Sequence, residues 1–139
     1  MALSAYRLSE LTAEQLLHIM QARIDIFVVE QNCVYRDIDA IDWQALHVCD
    51  WHNHELAAYA RVYEQDGFLC IGRVLSQRRG EGRARQLMTY CIEQLYPTRS
   101  IKISAQSYLT RFYHSLGFKS QGEPYLEDGI PHIDMLLAR

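Results

Sequence analysis

The residues Gln77 to Met88, QRRGEGRARQLM, set two glycines among four arginines where an apolar helical pattern begins, in a chain whose formal charge is −3. A helix start exposes unpaired backbone N–H groups and the positive end of the helix dipole, and glycine lets a phosphate approach them without a Cβ in the way. With Gly80 and Gly82 at that point, and Arg73, Arg78, Arg79, Arg83 and Arg85 around it, the stretch is suited to hold a pyrophosphate. The alternative is an ordinary helix start, in which the glycines only turn the chain and the arginines solvate its end. Two familiar phosphate loops are excluded, because neither G-x-x-x-x-G-K-[ST] nor a G-x-G-x-x-G after a first strand is present.

The elements that must position this loop follow from periodicity. Thr12 with Gln15 has the form of a capping box, and Leu16, Leu17, Met20, Ile24, Phe27 and Val28 recur at helical spacing, which predicts a first helix broken in two. ALHVCDW and ELAAYARVY read as strands joined by a polar HNH turn, and Asp66-Gly67 turns the chain into a third strand, FLCIGRVL. Ala84, Leu87, Met88, Cys91, Ile92 and Leu95 then form one helical face that stops at Pro97. IKISA is a strand, Ser107 is expected to cap a short helix that Gly117 ends, and HIDMLL closes the sheet. The order is helix, three strands, helix, strand, helix, strand, an α/β arrangement around a mixed sheet.

Length and composition bound the reading. With 139 residues, 49% of them hydrophobic, the chain is expected to form one domain over 1–139 with a real core. No secretory or membrane-spanning pattern is found, which places the protein in the cytoplasm, and Cys33, Cys49, Cys70 and Cys91 read as packed thiols. Net acidity, and the lack of aromatic residues within the arginine patch, argue against a nucleic-acid site. Cys49, His52 and His54 have no second ligand pair at zinc-binding distance, so no metal is expected.

The stretch Arg79-Gly80-Glu81-Gly82-Arg83-Ala84 resembles the R/Q-x-x-G-x-G/A pattern of the GNAT family of N-acetyltransferases, with alanine where many members have glycine. RFYHSLGF (residues 111–118), IDIFVVEQNCVYRDID (24–39) and GEPYLEDGIPHIDM (122–135) resemble the ElaA-like branch of that family, so the likeness covers most of the chain. It implies a GNAT-like, mostly antiparallel sheet with helices on both faces and acetyl-CoA as cosubstrate, its pyrophosphate on the amides of residues 79–84. It also implies a splayed strand at Val74 and Leu75 whose backbone pairs with the pantetheine arm. Gln106 stands where many members carry an asparagine that contacts the cofactor, and its longer amide arm makes the same kind of bond.

Direct acetyl transfer within a ternary complex needs a neutral amine, a donor to the carbonyl oxygen, and a proton for the leaving thiolate. By resemblance Tyr113 supplies that proton; a phenol of reference pKa about 10 stays protonated at neutral pH. From its helical face alone Tyr113 reads as core. A backbone N–H near Val74 is expected to polarise the carbonyl. For the base, Glu30, His47, Glu64, Glu127 and His132 stay open, with His132, beside Glu127 and Asp128, equally suited to orienting a loop. Asp37, Asp39, Asp42, Glu123, Glu127 and Asp128 flank the cofactor segment and, if they converge, would attract a cationic acceptor such as a polyamine, another aminated metabolite or a protein amine. A CoA-binding sensor without catalysis is the alternative function, a larger acyl donor is not excluded, and strands at the sheet's end offer an edge for a homodimer.

Overall fold

The computed structural model describes residues 2–139. Seven strands form one sheet: β1 (Ala2–Tyr6), β2 (Leu46–His52), β3 (Glu55–Gln65), β4 (Phe68–Ser76), β5 (Ile101–Gln106), β6 (Lys119–Glu127) and β7 (Ile130–Leu137), in the order β1-β2-β3-β4-β5-β7-β6. Every pairing is antiparallel except β4 with β5. Two strands exceed the five read from sequence. β1 is a short edge strand, and all nine residues of β6 are exposed, so neither carries the buried alternation that reveals a strand.

Helix α1 (Ala13–Arg23) begins with the expected box: the Gln15 amide donates to Thr12 Oγ1 at 3.1 Å and the Thr12 amide to Gln15 Oε1 at 2.9 Å. It runs on as a π-helical segment, Ile24–Glu30, so the expected break is a change of helical pitch. The buried face differs from the one read from sequence. Ile19, Ala22 and Arg23 are buried, whereas Leu17 and Ile24 are exposed, because the inward row carries a small residue and a charged one that an apolar count passes over.

After the short α2 (Ile41–Gln44), helix α3 (Arg83–Thr89) also continues as a π segment, Tyr90–Leu95, and α4 (Thr110–Ser115) follows a 3-10 turn at Ser107–Leu109. Ser107 is no cap. Its Oγ is buried without a partner, and its carbonyl accepts from Thr110 Oγ1 at 2.7 Å.

Two apolar clusters clamp the sheet. On one face Leu87, Met88, Cys91 and Ile92 of the α3 helix, with Tyr113 and Phe118, pack on Val48, Ala58, Ala60, Ile71, Ile103 and Met135. On the other Ile19 and Ala22 pack on Cys49, Leu56, Tyr59 and Leu75. The four cysteines are free and buried. Among the described residues no helix is long and apolar enough to cross a membrane.

Candidate active site

The parallel pairing of β4 with β5 is confined to Leu69 with Ile101 and Cys70 with Lys102. β4 continues to Ser76 and β5 to Gln106 without further pairing between them, so the strands splay and leave backbone donors and acceptors facing a gap. The other edge of β4 is irregular as well. Two steps on β3, Tyr59 to Arg61, are matched by three on β4, Leu75 to Gly72, a β-bulge around Arg73 and Val74.

Arg73 has φ +52, a left-handed conformation costing about 1–2 kcal/mol for a residue with a Cβ. Side-chain contacts hold it there: its Nε donates to Asp37 Oδ1 at 3.0 Å, its Nη2 to the Asp37 carbonyl at 3.0 Å, and its guanidinium lies 5.2 Å from the centre of the Tyr35 ring. Val74 is half-buried against the α3 face and Leu75 lies under α1, so what β4 presents to the gap here is backbone.

The glycine loop leads directly from this splay into α3. Gly80 and Gly82 have φ +85 and +71, and no atom lies within 4 Å of where either Cβ would stand, so both are needed for conformation and leave open space above the helix start. The arginines around it do not form the expected positive field. Arg73 is bound to Asp37, Arg78 pairs with Glu55 at 3.7 Å, Arg79 with Glu30, and Arg83 with Asp50 at 3.2 Å and Glu81 at 3.0 Å. Only Arg85 of the five has no carboxylate partner among the described residues; it donates to Ser115 Oγ at 2.6 Å and lies over the Phe112 ring. The anion-binding capacity of the loop therefore rests on backbone N–H groups more than on net side-chain charge.

Arg83 instead fastens the loop. Asp50 is fully buried on β2 with one oxygen unpartnered, and the other takes Arg83, the first residue of α3, whose Nη2 also meets His52 Nδ1 at 3.2 Å. Removing one partner of a buried pair leaves an uncompensated charge, so this contact locks the helix start to the sheet. Asp50 was not legible as a site residue, since it lies in a strand with nothing but pairing to mark it.

The end of the first helix reaches both sides of the splay. Glu30 forms a two-pronged ion pair with Arg79, one prong at 2.6 Å, and Gln31 exchanges amide hydrogen bonds with Gln106 at 3.0 and 3.1 Å. Between this helix end and Ser76, Gln77 and Arg79 lies a cavity of about 330 Å³. The hydrogen bond from Arg79 holds the Glu30 carboxyl below its usual range, which makes it a weak proton acceptor at neutral pH. A larger groove, about 620 Å³, lies between the α1 start and the β2–β3 turn, lined by Thr12, Gln15, His18 and Trp51, and includes no residue of the splay or loop.

Tyr113 is 5% exposed on α4, edge-on to Phe112 and Phe118 at 5.1 and 6.0 Å between ring centres, and burial pushes its pKa up. It is thus both a core residue and a phenol held in its protonated form.

The other proton carriers are occupied. His47 is fully buried, its Nδ1 2.7 Å from Tyr59 Oη and its Nε2 3.0 Å from the Asp42 carbonyl, and burial lowers its pKa; no ring nitrogen is left to meet a substrate. His132 is buried against Tyr125, with Nδ1 2.7 Å from the Ile130 carbonyl and Nε2 3.4 Å from Glu127, the arrangement of a hairpin brace. Glu64 is bound to Arg99. Of the metal candidates, Cys49 is buried with its pKa pushed up to about 12 by burial, and His52 faces Arg83.

The expected acidic funnel is half absent. Asp37 and Asp42 are buried and, with Asp39, are consumed by three arginines: Arg23 binds Asp37 at 2.8 Å and Asp42 at 2.6 Å, Arg61 binds Asp39 at 2.6 Å, and Arg73 binds Asp37. Six opposed charges cancel, so this cluster gives no net pull on a cationic acceptor. It ties the segment after the first helix to β3 and to the β4 bulge. Cys33 Sγ, 3.4 Å from the Asp128 carbonyl, ties the same segment to the β6–β7 turn.

Comparison with known proteins identifies the family. The acetyltransferase (GNAT) domain matches residues 8–139. The chain belongs to the GNAT family. It is similar to protein ElaA of Escherichia coli strain K12, with 44% identity over 137 residues, covering 91% of this chain and 90% of that protein. The crystal structure of Escherichia coli ElaA superposes with a TM-score of 0.88 at 40% identity, over 98% of this chain and 99% of that one. An acyl-CoA N-acyltransferase from Pseudomonas aeruginosa superposes with a TM-score of 0.89 at 34% identity, over 99% and 100%. The protein is thus a GNAT enzyme of the ElaA-like branch, an acyltransferase that moves an acyl group from a CoA donor to an amine.

Proposed function

We propose that the whole chain works as one acetyl-CoA-dependent N-acetyltransferase domain that transfers the acetyl group directly to a primary amine in a ternary complex. The observation that carries this reading is the gap between β4 and β5 opening straight onto the glycine loop and the α3 start. In this reading the pantetheine arm adds to the free edge of β4 near Val74 and Leu75. The pyrophosphate lies over the amides of residues 79–84, Gln106 exchanges its Gln31 partner for the cofactor, and a backbone N–H of the bulge faces the thioester oxygen. Calorimetric titration with acetyl-CoA, CoA and ATP tests it. Both CoA species are expected to bind saturably and ATP not to bind; failure of both at millimolar concentration would overturn it.

Tyr113 is assigned as the acid that protonates the CoA thiolate, its raised pKa keeping the proton in place until the thiolate forms. Tyr113→Phe is expected to lower kcat about 10²-fold or more with little change in acetyl-CoA affinity, as steady-state rates and calorimetry on the same preparation would reveal. A sensor would keep its ligand response in this variant and show no turnover in either form.

Glu30 competes with an anionic ligand for Arg79. Glu30→Gln is therefore expected to tighten acetyl-CoA binding several-fold, most clearly at low ionic strength, where the freed guanidinium is least screened. Weaker binding in the titration would mean that the ion pair preorganises the loop instead.

A further inference from the structure

Ser104, Tyr125 and Asp134 form a continuous hydrogen-bonded row on the sheet face opposite α4. Ser104 on β5 is the cross-strand partner of Asp134 on β7, and both alternate with the core residues Ile103, Ala105 and Met135. Tyr125 on β6 reaches the same row through a bulge. Four steps on β6, Gln121 to Tyr125, are matched by only two on β7, Asp134 to His132, with Gly122 at φ +73, and the Tyr125 ring stacks on His132 at 6.1 Å.

Tyr125 Oη donates to Asp134 Oδ1 at 2.6 Å and also bonds Ser104 Oγ. A phenol has one proton to give, so the Ser104 hydroxyl must be the donor toward Tyr125. The row is therefore directional, from Ser104 through Tyr125 to a carboxylate, and the side chains of Ser104, Tyr125 and Asp134 are all open to solvent or partly so. The other charged or titratable groups nearby are Lys102 on β5, 3.8 Å from Asp134 Oδ2, Cys70 on β4, Glu127 on β6 and His132 on β7. Burial, with the hydrogen bond to Asp134, pushes the Tyr125 pKa up to about 12, so the phenol can pass a proton on but does not itself rest ionised.

Position gives this row a reason. Ser104 lies two residues beyond Lys102, the last β5 residue paired with β4, at the edge of the splay, and it faces away from the cluster that contains Tyr113. Tyr113 and Ser104 thus stand on opposite faces of the sheet, on either side of the splay.

We infer that the amine enters over the Ser104 face and that Ser104, Tyr125 and Asp134 relay its proton away, an assignment that rests on the acetyltransferase reading above. The neutral amine nitrogen bonds to the carbonyl carbon and becomes cationic. Its proton passes to Ser104 Oγ, the Ser104 proton to Tyr125 Oη, and the Tyr125 proton to Asp134 Oδ1. The carbonyl re-forms, the C–S bond breaks with its electron pair on sulfur, and the thiolate takes the Tyr113 proton. Asp134 then loses its proton to water, and Tyr113 regains one. Without the relay, the cationic adduct expels the amine instead of the thiolate.

Acetyl-CoA with n-butylamine tests this, with thiol release as the rate and calorimetry of acetyl-CoA binding on the same samples. Asp134→Asn and Tyr125→Phe are each expected to lower kcat/KM for n-butylamine about 10²-fold with acetyl-CoA affinity within twofold of the original. Hydroxylamine forms a more acidic adduct that loses its proton to water, so its loss should be under about tenfold, a difference that a merely structural role would not produce. Equal losses for both amines, variants within threefold of the original, or no transfer to n-butylamine by the original protein holding acetyl-CoA would each overturn the relay. Absence of acetyl-CoA binding in the original protein would instead strike the underlying acetyltransferase reading.

Discussion

Gly82→Asp is expected to abolish acetyl-CoA binding while leaving a folded protein. At φ +71 the new side chain has open space around its Cβ, and aspartate is among the non-glycine residues that visit a left-handed conformation, at a cost of about 1–2 kcal/mol that a folded domain can bear. The change therefore falls on the ligand. A carboxylate at the α3 start would stand against the pyrophosphate. Two unit charges about 4 Å apart near a protein surface repel by about 4 kcal/mol before salt screening, enough for a loss of about 100-fold or more. Gly82→Asn separates charge from size and should lose much less. Calorimetry with circular dichroism on both variants checks this; acetyl-CoA binding by Gly82→Asp within tenfold of the original would remove the loop from the cofactor site.

The second large effect is on stability. Arg23 is fully buried at the end of α1 and bonds Asp37 and Asp42 with a well-directed guanidinium. Arg23→Met fills much of the volume but takes one of two guanidinium partners from each of two buried carboxylates, leaving Asp37 with Arg73 and Asp42 with Arg61, and breaking such a network costs about 3–5 kcal/mol. That is a large part of the 5–15 kcal/mol by which domains are ordinarily stable. Urea denaturation at pH 7 measures it, and a loss under about 1 kcal/mol would contradict the network's role.

The same network makes an acid limb. Burial raises the pKa of Asp42, but the hydrogen bond and charge of Arg23, the Asp39 amide and Arg61 outweigh this and leave it lowered; Asp39 is lowered chiefly by Arg61 against the same burial. A folded-state pKa below the unfolded value near 3.9 gives stability that is fully present at neutral pH. It is lost as pH falls through the unfolded value toward the folded ones. Arg23→Met should flatten that limb as well as lower the plateau.

The buried network also connects fold to chemistry. Asp37 bonds both Arg23 and Arg73, so the charge cluster that secures the first helix also holds the left-handed residue at the β4 bulge. Loss of Arg23 is thus expected to disturb the strand edge proposed to face the thioester, in addition to the global stability.

Local patterns in the sequence carried much of this protein. The Thr12–Gln15 box, the turns at Asn53-His54 and Asp66-Gly67, the buried face from Leu87 to Ile92 and the left-handed glycines at 80 and 82 are set by neighbours within a few residues, so they are legible in one dimension. The glycine pattern likewise marks the family.

What tertiary structure decided is what charged and polar side chains meet. Arginines 73, 78, 79 and 83 read as a phosphate field until Asp37, Glu55, Glu30 and Asp50, each 23 or more residues away, were brought against them. Asp37, Asp39 and Asp42 read as an acceptor funnel until three arginines neutralised them, and His47 read as a base until Tyr59 and Asp42 closed over it. Ser104, Tyr125 and Asp134 gave no sign at all, because they become neighbours only through cross-strand register and the bulge in β6. Hydrophobic periodicity records which face of an element is buried; the partner of a charge depends on strand order and register, which no local window contains.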